Sequence, residues 1–364
     1  MRHEKASGRA EGAALRQRIA WSSSQNTFSS KVSKETATNR SCHEQGAFTM
    51  SILYRILKPI VRKLVKGGSV HQEESYEAFK QASYDVQKKF KFALPKIKGF
   101  AFRDEQLDGF HIIVGKETGK HPDKAIVYFP GGGSRRWQLP YTSSMKNYIR
   151  KTGAELWISL YPLLPDYDLM EETEFTIRVH ETMMKRFRPE NIVWLGFSGG
   201  ADVLFQAGRH IVQKYPDLPM PGMMIPVSCS GLLMSDEAKE RMKKIDPHDP
   251  LLHWDMFETM VKYYNPRGDL PQYILGKADE DDYTGFPKVV MYFAGDEVFA
   301  GIAPDYEKSF RRCGVKDYEI KIKEGMPHAW PVFTFLPEGR EGEREIIEDI
   351  NAFFRQGRIS EEIK

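Results

Sequence analysis

From about residue 100 onward, short apolar runs alternate with stretches of helical period. The runs Ala125–Phe129, Leu156–Tyr161, Ile192–Leu195, Met223–Val227 and Val289–Phe293 are almost continuously apolar, the pattern of strands buried on both faces. The segments between them are long enough to hold helices. Strands that alternate with helices predict a mostly parallel central sheet flanked by helices, an α/β architecture.

Upstream the pattern changes. Ile52, Leu53, Ile56, Leu57, Ile60, Val61, Leu64 and Val65 recur at helical spacing opposite Arg55, Lys58, Arg62, Lys63 and Lys66. This predicts a basic amphipathic helix ended by Gly67-Gly68, either part of a helical lid over residues 50–100 or a peripheral membrane contact by residues 52–65. Residues 1–49 show neither helical nor strand period and are read as a disordered tail or a misassigned start, with Met50 opening the first patterned segment. The expected organisation is therefore a tail (1–49), lid helices (50–100) and a catalytic domain (101–364).

Composition narrows this only slightly. With 41% hydrophobic residues in 364, the chain can fill a core, and a formal charge of +3 calls for no nucleic acid. The first 49 residues hold eight Lys/Arg against four Asp/Glu, which accounts for the whole positive excess. Cys42, Cys229 and Cys313 are odd in number and show no metal-type spacing, as expected of a reducing, cytoplasmic compartment. No window is apolar enough to span a membrane. The expected partner is a small molecule, and the pattern selects no oligomeric state.

The chemistry is concentrated at three places. Asn191–Leu195 runs into Gly196-Phe197-Ser198-Gly199-Gly200 and then a helical pattern over Ala201–Lys214, which is G-x-S-x-G in the setting of strand, sharp turn and helix. Flanking glycines let the backbone turn tightly and expose the Ser198 hydroxyl, while the helix start behind it offers amides to a developing oxyanion. The run Lys124–Phe129 leads into Pro130-Gly131-Gly132-Gly133-Ser134, a bare loop able to aim amides at a carbonyl oxygen. It lacks the Lys-Ser/Thr end of a phosphate-binding loop. Among ten histidines, His328 alone follows a strand-like run (Tyr318–Lys323) and a turn near the end of the fold, where a general base is expected. A third member should follow Lys288–Phe293, where Asp296 and Glu297 are both available; only one can reach His328, and the other is expected to be a solvated surface acid.

With Gly131–Gly133, Gly196–Gly200, the acid at 296 or 297 and His328, residues 85–355 resemble the hormone-sensitive-lipase-like carboxylesterase family of the α/β-hydrolase superfamily. Tyr161–Asp166 and Asp249-Pro250-Leu251-Leu252 are also similar to segments of that family. The resemblance implies an α/β-hydrolase fold with a lid from the N-terminal region and an insertion over 230–285. It implies Ser198 as nucleophile, His328 as base, and the amides of Gly132, Gly133 and Gly199 as oxyanion hole, and it favours Glu297 over Asp296 as the acid. Two positions depart from the family pattern: Pro130 stands where a histidine braces the glycine loop, and Pro162 replaces an arginine.

The expected activity is hydrolysis of small uncharged carboxylic esters through an acyl-enzyme, with neither metal nor organic cofactor. Met223, Met224, Leu232, Leu233, Trp254, Phe257 and Phe197 are the expected pocket lining. Amide or peptide hydrolysis and acyl transfer could run on the same residues, and a non-catalytic ligand-binding relative would share the fold.

Overall fold

The computed structural model describes Glu73 and residues 75–362. The tail over 1–49 and the amphipathic segment over 52–65 lie outside the described residues.

Eight strands form one sheet in the order β1-β2-β4-β3-β5-β6-β7-β8. They are β1 (Phe100–Leu107), β2 (Phe110–Glu117), β3 (Ala125–Phe129), β4 (Glu155–Ser159), β5 (Ile192–Phe197), β6 (Met223–Val227), β7 (Lys288–Ala294) and β8 (Tyr318–Lys323). From β4 to β8 the pairing is parallel, while β1 and β2 join the edge antiparallel. The nine helices described are α1 (Tyr76–Gln87), α2 (Thr142–Thr152), α3 (Leu169–Met184), α4 (Gly199–Lys214), α5 (Asp236–Ile245), α6 (Met256–Tyr264), α7 (Gln272–Leu275), α8 (Ala303–Arg312) and α9 (Pro337–Glu362).

The continuous apolar runs are explained by two separate cores, one on each face of the sheet. Along β5, Ile192 and Trp194 enter a core packed by α3, α4 and α8, while Val193, Leu195 and Phe197 enter another packed by α2 and α9. Alternate side chains of a strand point to opposite faces, so a strand covered on both sides has no polar position left to spend. Phe205 on α4 shows how the site is anchored: fully buried, it packs against Tyr283, Phe286, Tyr306 and Phe310. Phe205→Ala is expected to cost about 3–5 kcal/mol, read as a lower denaturation midpoint at unchanged slope.

Two elements differ from the sequence reading. The β1–β2 hairpin was not expected; β1 (FAFRDEQL) is mostly half-buried and carries four polar residues. Its signal was the dipeptide Asp108-Gly109, with φ of 52° and 83°, the left-handed pair that a two-residue hairpin turn requires. The segment over 50–100 is not helical to its end, because α1 stops at Gln87 and the chain runs on without helix to residue 97. There Phe90, Phe92 and Leu94 alternate with lysine and alanine and pack onto the α2/α9 core, a period of two that suits extended chain.

Candidate active site

Ser198 sits at the C-terminal end of β5, immediately before α4. Its φ of 53° and ψ of −128° are strained for a residue with a side chain. The turn that imposes them is held by Ser198 N–H donating to Val227 O at 2.8 Å and by Ala201 N–H donating to Ser198 O at 2.7 Å. The glycines after it are required by close approach. A Cβ on Gly200 would lie 2.1 Å from Phe129 O, and one on Gly199 would lie 2.8 Å from Gly133 N. The elbow and the glycine loop thus touch backbone to backbone, and a side chain at either position would push them apart.

The Ser198 hydroxyl lies 2.8 Å from His328 Nε2, and His328 Nδ1 lies 2.6 Å from Glu297 Oε2. An ionised carboxylate can only accept, so Nδ1 carries the proton and Nε2 is left with its lone pair toward Ser198. The other carboxylate oxygen of Glu297 accepts the Ala294 amide at 2.8 Å, which folds the side chain back over the end of β7. Of the two acids considered, Glu297 is the one bonded to His328. The expectation that the other would be a solvated surface acid is corrected: Asp296 is 1% exposed. It follows the end of a buried strand, and the chain closes over it.

His328 is 5% exposed and meets the Phe299 ring edge-on at 5.0 Å. It is positioned by a contact that sequence reading missed, in which Ser228 Oγ accepts the Ala329 amide at 2.9 Å. Asp249 was also missed as a structural tie. It lies in the inserted segment after β6, fully buried, and its carboxylate accepts the amides of Leu251 and Leu252 and, at 2.8 Å, that of Val298, the residue after Glu297. Burial raises its carboxyl to about 7, while the three amides and nearby His328 favour the ionised form.

The glycine loop reaches the elbow from β3. Gly132 has φ of 133° and Gly133 φ of 60°. Among the described residues, the amides of Gly132, Gly133 and Gly199 donate to no backbone carbonyl. Proline at 130 leaves the loop without a histidine brace, and two tyrosines supply one. The Tyr161 hydroxyl donates to Pro130 O at 2.5 Å, and the Tyr264 hydroxyl to Gly133 O at 2.6 Å. Beneath the loop, Ser134 Oγ donates to Glu172 at 2.9 Å, and burial pushes the Glu172 carboxyl well above the usual carboxylate range.

These groups open on one cavity of about 410 Å³, whose lining includes Ser198, His328, Gly132, Gly133 and Gly199. Its apolar wall comes from Ala82 and Val86 of α1, Leu169, and the inserted Leu232, Leu251, Leu252, Met256 and Met260. Of the expected lining residues, Leu232 alone is there. Met223 and Met224 lie fully buried in β6, one on each face, Phe257 is core, and Phe197 faces a second cavity on the other side of the loop. Strand residues point into the two cores rather than along the strand axis, so wall residues come from elements beyond the strand ends.

Among the described residues no helix is long and apolar enough to cross a membrane.

A family model described as the alpha/beta hydrolase fold matches residues 126–332. Among solved structures, an esterase/lipase from an uncultured bacterium is 19% identical with a TM-score of 0.65, covering 82% of this chain and 98% of its own. An esterase described as belonging to the bacterial hormone-sensitive lipase family is 18% identical with a TM-score of 0.65, covering 81% and 95%. A putative esterase from Staphylococcus aureus is 16% identical with a TM-score of 0.64, covering 79% and 98%. No protein of curated function matches the sequence.

Proposed function

We propose, for a chain that belongs to the alpha/beta hydrolase fold family, that it is a serine carboxylesterase of the hormone-sensitive-lipase type. The observation that carries this reading is the unbroken chain Ser198–His328–Glu297 at a cavity rimmed by glycine amides.

His328 Nε2 takes the Ser198 proton as Oγ attacks the ester carbonyl. The amides of Gly132, Gly133 and Gly199 receive the negative charge that develops on the carbonyl oxygen. His328 then returns the proton to the departing alkoxide, leaving an acyl group on Ser198. Water, deprotonated by the same nitrogen, attacks that acyl group, and the tetrahedral intermediate collapses to the free acid as its bond to Ser198 Oγ breaks and His328 returns the proton to that oxygen. Glu297 holds the imidazole in its tautomer and balances the imidazolium. A cavity of about 410 Å³ suits an acyl group of short to medium length. Free thiols at Cys229 and Cys313 are consistent with a cytoplasmic setting.

The test combines activity with covalent labelling. A chain-length series of p-nitrophenyl esters should be hydrolysed with an optimum at short or medium acyl groups. A sulfonyl fluoride should abolish that hydrolysis while adding one sulfonyl group to the peptide carrying Ser198. Hydrolysis of no ester, or inactivation with the label on another residue, would remove this reading.

Loop bracing makes its own prediction. Tyr161→Phe deletes one hydrogen bond, worth about 1 kcal/mol, behind the loop and away from the cavity wall. It is expected to lower kcat roughly fivefold with KM unchanged, because the loop amides engage the oxygen only as charge develops. A change in KM alone would mean that Tyr161 shapes binding instead.

A further inference from the structure

The lining of the cavity includes charged groups that the ester reading does not use, and one of them is unmatched among the described residues. Two arginines follow the glycine loop, and their circumstances differ sharply. Arg135 is committed: its Nη1 lies 2.8 Å from Glu73 Oε1, its Nε donates to Ser83 Oγ at 2.8 Å, and its guanidinium stacks 4.6 Å from the Phe79 ring. Arg136 also lines the cavity, half-buried, and among the described residues no carboxylate or hydrogen-bond acceptor meets its guanidinium. Its stem lies close against the glycine loop, where a Cβ on Gly132 would lie 2.8 Å from Arg136 Cγ. Desolvation, with Arg135 adjoining, lowers its pKa below the ordinary arginine value.

Among the described residues this half-buried guanidinium meets no counter-charge, an unfavourable state that the entry of an anion relieves. The two acids that line the same cavity are occupied elsewhere. Glu73 pairs with Arg135, and Asp202 accepts the amides of Ser230 and Gly231, both at 2.8 Å. They do fix the size of the charge that can enter. Among the described residues, one unmatched guanidinium beside two carboxyl groups suits a single negative charge with two coplanar oxygens, which the arginine fork matches in geometry, and disfavours a phosphate dianion.

We propose that Arg136 receives a carboxylate carried by the substrate, so that the preferred substrates are esters bearing one carboxylate group rather than uncharged esters. The proposal rests on the esterase reading and specifies its substrate class. The charge can sit on the acyl or the alcohol portion of the ester, and the two are separated by assay.

The experiment measures kcat/KM by pH-stat titration for matched pairs. Monomethyl glutarate against methyl pentanoate places the charge on the acyl side, and the butyrate ester of glycolate against propyl butyrate places it on the alcohol side. In one pair the parent should favour the anionic member, and Arg136→Met should lower that anionic-to-neutral ratio by about 10–100-fold, the worth of a hydrogen-bonded charge contact. Arg136→Lys, which keeps the charge without the fork, should fall between. A ratio is independent of the folded fraction, so partial misfolding of a variant does not imitate the result. Ratios unchanged in Arg136→Met for both pairs would overturn the proposal. If the parent cleaves none of the four esters, the esterase reading fails by itself and thermal unfolding with added butyrate, a monocarboxylate, decides the anion site. A rise in Tm for the parent and not for Arg136→Met upholds it, and equal behaviour of the two overturns it.

Discussion

Ser198→Ala is expected to lower kcat for p-nitrophenyl butyrate by on the order of 10⁶-fold, the scale on which loss of a triad nucleophile acts. The hydroxyl is the only atom of Ser198 directed at His328, and the neighbouring glycines of the elbow have no side chains. The change removes one oxygen from a position whose backbone is held by Val227 and Ala201, so the fold is expected to survive it, with a Tm close to that of the parent. Steady-state assay together with thermal unfolding separates the outcomes. A stable variant with more than a hundredth of the parent's kcat would place the nucleophile elsewhere.

Glu297→Gln is expected to lower kcat by about 10⁴-fold. The mutant amide has a donating nitrogen where the carboxylate only accepts. With that nitrogen turned to His328, Nδ1 becomes the acceptor and the proton moves to Nε2, which then faces Ser198 as a donor and cannot take its proton. Asp296→Asn is the informative control, because Glu297 and not Asp296 is bonded to His328. Its kcat should exceed that of Glu297→Gln by about 100-fold or more. The reverse order of the two variants would transfer the role to Asp296.

Much of this site was legible because it depends on local chain geometry. A glycine-flanked serine between an apolar strand and a helix can be read from adjacent residues, as can a glycine run after a strand and a histidine after the last strand and turn. Choosing between Asp296 and Glu297 required the return of the Glu297 carboxylate to the Ala294 amide, a detail of backbone direction that adjacent letters do not carry. Contacts made at long range were invisible for another reason. Tyr161 and Tyr264 meet the loop from 31 and 131 residues away, and nothing in their immediate surroundings sets them apart from core tyrosines. The same holds for Ser228, 101 residues from the amide it accepts. Apolar residues could be assigned to the interior but not to a particular part of it, which is why Met223 and Met224 were expected in the pocket and are found in the cores. The half-buried, charge-bearing β1 hid a strand that its Asp-Gly turn announced.

The Asp249 tie has a consequence for how such an enzyme could be altered. The segment between β6 and β7 supplies much of the apolar wall, and exchanging it for a foreign one is an obvious route to a new acyl preference. That same segment carries the carboxylate that grips the amide next to Glu297. A graft chosen for pocket shape alone would leave the Val298 amide without its acceptor and loosen the support of His328 while widening the substrate range. A transplant that keeps an aspartate in register would preserve the support, so a new selectivity can be introduced without loss of turnover only on a segment that carries this carboxylate.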